Sequence, residues 1–207
     1  MSGNIHDMAS EGWRGPADHI IRGQIMEAAD AHFRQFGYGK TTVSGLAGAI
    51  GFSKAYIYKF FDSKQAIGEA IAMRHVVEIC DAAEKAVKND KTSPEKLRLL
   101  FRSVTKSSVD LFFLERQLYD MVSHAVVEDW HCNRVMNDRM QALVESIVKE
   151  GRLSGAFERK TPLDETCRAI RQAMKSFCHP AMLAYNLDNW PKAQNELVNL
   201  VLRSLAP

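Results

Sequence analysis

The sequence predicts an all-α protein, on three observations. Apolar residues recur at steps of three, four and seven over most of the 207 residues, the spacing of one buried helix face. No stretch keeps the period-two alternation of a half-buried strand. Capping residues followed by proline, and glycines placed just after an apolar stripe, mark where segments start and stop. About nine helices result.

The first helix begins near Ala17, with Ile21, Ile25, Ala28, Ala29 and Phe36 as its stripe, and Gly37 stops it as a C-terminal cap. Thr41 or Thr42 caps a short second helix with Val43, Leu46, Ala47 and Ile50 inward. Gly51-Phe52 makes a tight turn, and Ser53 caps a third helix that reaches about Phe61. Asp62, three residues before Gln65, reads as a capping box opening a long fourth helix over residues 63–89, with Ile67, Ala70 and Ile71 inward. After the polar break at 89–92, Ser93 caps and Pro94 starts a fifth helix carrying Leu97, Leu100, Phe101, Val104 and Leu111. Leu114, Leu118, Val122 and Val126 continue a helical face up to Trp130.

Met136, Met140, Leu143, Val144 and Ile147 mark the next helix, which ends near Gly151 and gives way to a loop over 151–160. Thr161-Pro162 restarts a helix lined by Cys167, Ile170, Met174, Phe177 and Cys178, and Pro180 kinks or divides it. Asn189-Trp190-Pro191 opens the last helix, with Leu197, Val198, Val201, Leu202 and Leu205 apolar. The organisation expected is an arm over residues 1–16, a three-helix domain over 17–74 and a helical bundle over 75–207, with the border inside the fourth helix near His75.

Composition excludes several function classes. Hydrophobic residues are 46% and charged residues 25% of the chain, ordinary for a globular protein. No apolar run approaches the roughly eighteen residues that span a bilayer, and residues 1–16 lack the apolar core of a signal peptide. A cytoplasmic protein without a membrane partner is expected. The four cysteines, Cys80, Cys132, Cys167 and Cys178, are scattered and read as small buried hydrophobes. His124 and His131-Cys132 lack further ligands nearby, so neither a metal nor a cofactor is expected. A nucleophile elbow, a glycine-rich phosphate loop, an HExxH and paired carboxylates are all missing, which argues against an enzyme.

Net charge is only +2, but its distribution is uneven. Between His32 and Lys64 stand Arg34, Lys40, Lys54, Lys59 and Lys64 against Asp62 alone. That local basic stretch suits contact with a polyanion. Two short helices joined by Ile50-Gly51-Phe52 form a helix-turn-helix, whose second helix enters the major groove of DNA with its first residues on base edges. Lys54, Ala55, Tyr56, Tyr58 and Lys59 point outward to varying degrees: lysines neutralise phosphate, and tyrosines hydrogen-bond phosphate or pack on thymine methyls. Lys64 stands in the first turn of the fourth helix, where it and the free N–H groups can clamp a phosphate. The alternative for Tyr56 and Tyr58 is plain packing within the domain.

The run Gly37-Tyr38-x-x-Thr41-Thr42-Val43-x-x-Leu46-Ala47-x-x-Ile50-Gly51-Phe52-Ser53-Lys54-Ala55-Tyr56-Ile57-Tyr58-Lys59-Phe60-Phe61-x-Ser63-Lys64 resembles the N-terminal domain of TetR-family repressors. The resemblance covers about Ala17 to Ile71. It implies an all-α homodimer on a palindromic operator, released by a small-molecule effector held in the C-terminal domain. By the same resemblance, positions matching Thr42, Lys54, Tyr58 and Lys64 meet phosphates, and those matching Ala55, Tyr56 and Lys59 read bases. The candidate DNA-binding set is therefore Thr41, Thr42, Ser53, Lys54, Ala55, Tyr56, Tyr58, Lys59 and Lys64.

Phe60 departs from a frequent histidine, Lys59 from a frequent aromatic, and Tyr56 from a small hydroxyl residue. Gly45 and Gly48 each weaken the second helix by about 1 kcal/mol relative to alanine. Beyond Ile71 the resemblance is confined to helix order and the Gly151-x-x-x-Gly155-x-Phe157 loop. It points to the last two helices for dimerisation, where Met174, Leu197 and Val201 serve either the interface or the core. Phe101, Phe112, Tyr119, Met140, Met174 and Phe177 suit either an apolar effector or the core. The rival function is a helical protein-interaction scaffold that does not bind DNA sequence-specifically.

Overall fold

The computed structural model describes residues 16–88 and 91–207. The predicted arm over 1–16 lies outside them except for Pro16, which opens α1, and Asn89-Asp90 of the polar break lies outside them as well. The described residues form ten α-helices and a short 3₁₀ turn at Leu187–Asn189, with no strand. The fold is all-α. No described helix is long and apolar enough to cross a membrane. The chain divides into two compact units, one ending at Ile71 and the other beginning at Ala72.

The first unit holds α1 (Pro16–Phe36), α2 (Val43–Ile50), α3 (Lys54–Ile57) and the opening turns of α4 (Lys64–Val87). Ile25, Ala29 and Phe33 of α1 are fully buried. Phe36, expected on that stripe, is 49% exposed, because Phe33, one helical turn earlier, takes the inward place and meets Tyr38 edge-on at 5.3 Å. Gly37 ends α1 at φ 84°, its N–H bonded to Phe33 O at 2.8 Å. Tyr38, Val43, Leu46, Ala47, Ile57, Phe61, Ile67 and Ile71 are buried as well, so packing rather than propensity holds the glycine-containing α2. Ile50 is only partly buried.

The start of α4 differs from the expected box. Ser63, not Asp62, caps it, accepting the Ala66 N–H at 3.0 Å. Serine and aspartate cap comparably, so the backbone decides: the chain turns helical at Lys64, one residue later than the box would require, and leaves Ser63 at the cap position.

The second unit contains the rest of α4 with α5 (Ser93–Leu114), α6 (Arg116–Val127), α7 (His131–Leu153), α8 (Leu163–Cys178), α9 (Pro180–Leu183) and α10 (Trp190–Ser204). At the start of α5 the cap is Thr92: Glu95 Oε2 accepts from both its N–H and its hydroxyl at 2.8 Å, while Ser93 is buried one place further in. The face expected to continue through Leu114 breaks at Glu115, whose φ −139° and ψ 55° leave helical space. Leu114 is 78% exposed as a result, whereas Leu118 and Trp130 are buried. Pro180 divides α8 from α9, since it lacks the N–H that would continue the ladder.

Gly151 does not end α7. The helix runs through it to Leu153, and Gly155 at φ 77° makes the turn. What Gly151 provides is room: a β-carbon there would lie 2.1 Å from Phe157 Cδ2. The ring folds back onto the helix, its backbone N–H bonded to Gly151 O at 3.0 Å, and joins one core with Leu97, Leu100, Phe101, Val144, Ile147 and Ile170. A smaller cluster gathers Val109, Tyr119 and Leu183.

Candidate nucleic-acid interface and ligand cavity

In the first unit, the sequence between α1 and α4 folds into a tight frame. Thr42 is the N-cap of α2, its hydroxyl accepting the Gly45 N–H at 3.0 Å. Gly51 ends that helix at φ 72°. The Phe52 N–H bonds Ala47 O at 2.9 Å and the Gly51 N–H bonds Gly48 O at 3.4 Å, the paired bonds of a Schellman motif, in which the positive φ favours glycine. Ser53 then caps α3, accepting the Tyr56 N–H at 3.1 Å. Both caps sit at exposed positions.

Regular α3 is shorter than the sequence suggests. It stops at Ile57, and Lys59 N–H to Tyr56 O at 3.2 Å and Phe60 N–H to Ile57 O at 2.9 Å carry the chain to Phe61 in tighter turns. The succession Tyr56-Ile57-Tyr58-Lys59-Phe60-Phe61 is rich in weak helix formers, and burial of Ile57 and Phe61 sets its path.

Ser53, Lys54, Ala55, Tyr58 and Lys59 are exposed. The Lys54 ammonium lies 5.7 Å from the Tyr58 ring centroid. Tyr56 is half-buried, edge-on to Phe52 at 5.1 Å and to Phe60 at 5.4 Å, so packing claims most of its ring. Lys59 extends over that ring at 5.5 Å. Among the described residues, no carboxylate lies within ion-pair distance of Lys40, Lys54 or Lys59. Arg34, by contrast, is paired with Asp30 at 3.0 Å.

Two candidates have other work. Thr41 is 3% exposed, and its hydroxyl donates to Gly37 O at 2.8 Å and lies 3.1 Å from His32 Nδ1. With its one proton committed to the carbonyl, it accepts from the imidazole. It braces the α1–α2 loop from inside and offers no surface. Lys64 donates to Tyr38 O at 3.1 Å and lies 4.4 Å from the Tyr38 ring centroid. Its amine ties the loop to α4 instead of standing free at the helix end.

The second unit contains a cavity of about 310 Å³, within the range of about 300–1,000 Å³ typical of small-molecule sites. Val104, Leu111, Val122, Val126, Met136 and Met140 form its apolar walls. Of the residues expected in a pocket, Tyr119 and Met140 line it. Phe101, Met174 and Phe177 are 1%, 3% and 4% exposed and lie in the core. Phe112 lines an adjoining groove with Arg116, whose guanidinium stacks 4.6 Å from its ring. Tyr119 donates to Pro180 O at 2.6 Å.

The polar wall was not expected. Asn133 and Asn137 of α7 face Arg171 and Lys175 of α8 and His179 just beyond it. Arg171 Nη2 donates to Asn137 Oδ1 at 2.7 Å. The i, i+4, i+8 spacing of Arg171, Lys175 and His179 is the readable signal, a second stripe beside the apolar one. Met174 is core, which removes it as an interface residue; Leu197 and Val201 are half-buried against the same core, with Leu200 between them 57% exposed. Among the described residues, no group of three or more His, Cys, Asp or Glu side chains is placed to hold a metal ion.

Comparison with known proteins bears on both units. Residues 25–71 match the family model for bacterial regulatory proteins of the tetR family. Residues 93–199 match that for the tetracyclin repressor-like C-terminal domain. The HTH-type transcriptional regulator YhgD of Bacillus subtilis is 25% identical over 140 residues, covering 65% of this chain and 70% of that protein. A TetR/AcrR-family regulator from Thermobifida fusca superposes with a TM-score of 0.66 at 20% identity, over 88% of this chain and 97% of that one. The regulator FadR of Bacillus subtilis, solved in complex with stearoyl-CoA, gives 0.64 at 19% identity over 88% and 98%. At these identities the two structures speak to the fold alone.

Proposed function

The chain belongs to the tetR family of bacterial regulatory proteins, and we propose that it binds a palindromic operator as a homodimer and represses transcription until a small molecule releases it. The observation that carries this is the exposed face of Ser53, Lys54, Ala55, Tyr58 and Lys59, whose two lysines have no carboxylate partner among the described residues. It is set between two capped helices and a glycine turn, the frame that presents side chains to a major groove. Lys54, Tyr58 and the Thr42 end of α2 meet phosphates; Ala55 and Lys59 meet base edges, and the half-buried Tyr56 shapes the face from behind. Two such faces reach successive major grooves when held roughly 34–36 Å apart, which is the work of a dimer formed through α8 and α10.

The second unit senses the effector and α4 transmits the state. An effector shifts operator occupancy only by binding the two states with different affinity. The protein acts in the cytoplasm, where the operator is, and performs no catalysis.

Operator selection from random DNA, followed by gel shifts at several salt concentrations, tests the reading. A selected palindrome should bind far more tightly than random DNA. Lys54→Gln should lower the salt slope by about 2 per dimer, one phosphate lost in each half-site at about 0.9 apiece, on every sequence. Lys59→Gln should cost about 1–3 kcal/mol on the selected site and relax its sequence preference. A chain that yields no sequence-selective complex at any salt concentration would be a scaffold, and the proposal would fall.

A further inference from the structure

The cavity in the second unit combines two surfaces. One is aliphatic, from Val104, Leu111, Val122, Met136 and Met140. The other carries Arg171 and Lys175, and no aspartate or glutamate lines the cavity. Arg171 has a neutral hydrogen-bond partner, the Asn137 amide. Among the described residues, no carboxylate lies within ion-pair distance of Arg171 or Lys175. His179 adds a third group, its Nδ1 buried without a hydrogen-bond partner.

Burial pushes the Arg171 guanidinium below its ordinary pKa, and burial followed by the Lys175 charge does the same to His179. A desolvated cation without a counter-charge is unfavourable in a folded chain. Cations near the C-terminal end of a helix gain from its dipole. That gain is confined to the last turn, and Arg171 stands two turns before the end of α8 at Cys178.

We propose that this cavity binds a small anionic amphiphile, with its acid group against Arg171 and Lys175 and its apolar body along the α5, α6 and α7 walls. The proposal rests on reading the second unit as the effector-sensing part and replaces an apolar effector with a charged one. A carboxylate matches the planar guanidinium fork of Arg171, which its bond to Asn137 orients. A cavity of about 310 Å³ admits a compact ligand, at the small end of such sites.

The test is calorimetric titration of the full chain, free of DNA, with three probes of equal chain length: octanoate, 1-octanol and octylammonium. Octanoate should bind at least about tenfold more tightly than 1-octanol, about 1.4 kcal/mol, with octylammonium weakest. Lys175→Gln, and separately Arg171→Gln, should erase most of that preference, while Arg171→Lys keeps part of it; circular dichroism confirms that each variant is folded. The proposal is overturned if octanoate does not bind, if 1-octanol binds as well, or if the preference survives in both glutamine variants. Adding octanoate to operator complexes separates the two readings. Charge-selective binding that leaves operator affinity unchanged would strike the switch and leave the chemistry of the cavity standing.

Discussion

Replacing Gly151 with alanine tests how closely the second unit is built. The new methyl carbon would stand 2.1 Å from Phe157 Cδ2, 2.5 Å from Cε2 and 2.8 Å from Cγ. To restore ordinary contact at 3.4 Å the ring must retreat by about 1.3 Å. Phe157 is 2% exposed and pinned by its own N–H to Gly151 O, so the retreat drives it into the core. Overpacking of this kind costs about 1–3 kcal/mol, and contact with three ring atoms argues for the upper end. Against this, alanine gains about 1 kcal/mol of helix propensity over glycine, leaving a net loss of about 2 kcal/mol. The assay is urea unfolding of a double-mutant cycle. Phe157→Ala alone should cost about 3–5 kcal/mol. In that background, with the ring gone, Gly151→Ala should change sign and stabilise by up to about 1 kcal/mol. The reasoning fails if Gly151→Ala has the same effect in both backgrounds, because the glycine would then not be making room for the ring.

Lys64→Met keeps the stem and removes the amine that holds Tyr38 O, so the first unit should lose about 1–2 kcal/mol in thermal or urea unfolding. Unchanged stability with a reduced salt slope on DNA would mean that the amine serves phosphate instead. Burial pushes the thiols of Cys80 and Cys178 from 9.0 up to about 11. Cys80 is fully buried and should resist iodoacetamide at pH 8 in the native chain and react once urea unfolds it, whereas Cys178, half-buried on the cavity wall, should react slowly. The same shifts make these two groups lower the stability as pH rises from about 9 to about 11. In that window the unfolded thiols lose protons that the folded ones keep. Rapid labelling of native Cys80 at pH 8 would count against this burial.

Local chemistry was the legible part of the fold. Ser53 can be read as a cap, and the α2 cap narrowed to Thr41 or Thr42, because a cap depends on a few consecutive residues, and the Gly51 turn follows from the same short range. Errors of one position, Ser93 for Thr92 and Asp62 for Ser63, arose where two capping residues stand together and backbone geometry decides between them. Phe33 and Phe36 lie one helical turn apart, and the partner Tyr38, not the periodicity, selects the inward ring. From sequence Gly151 reads as a stop, because its actual reason is a ring six residues further on that folds back. At the candidate DNA face, residue types indicate which side chains can serve, but the internal bonds of Thr41 and Lys64 depend on tertiary contacts. The cavity was the least legible. Phe101, Met174 and Phe177 are buried in the core, since large apolar side chains suit core and pocket alike, while the charged stripe on α8 supplies the cavity's polar wall.

The frame around α3 has a consequence for how such a protein can change over generations. On the proposed reading Ala55 and Lys59 meet base edges, and both are exposed, so substitutions at either would alter what is read at little expense to folding, since surface changes usually stay within about 0.5 kcal/mol. Gly51, Ser53 and the ring of Tyr56 between Phe52 and Phe60 are fastened to the architecture and resist drift. On that reading a duplicated copy would reach a new operator through a few outward positions while its scaffold stays still. Tyr56 is where a change of target and a change of fold stability become hard to separate.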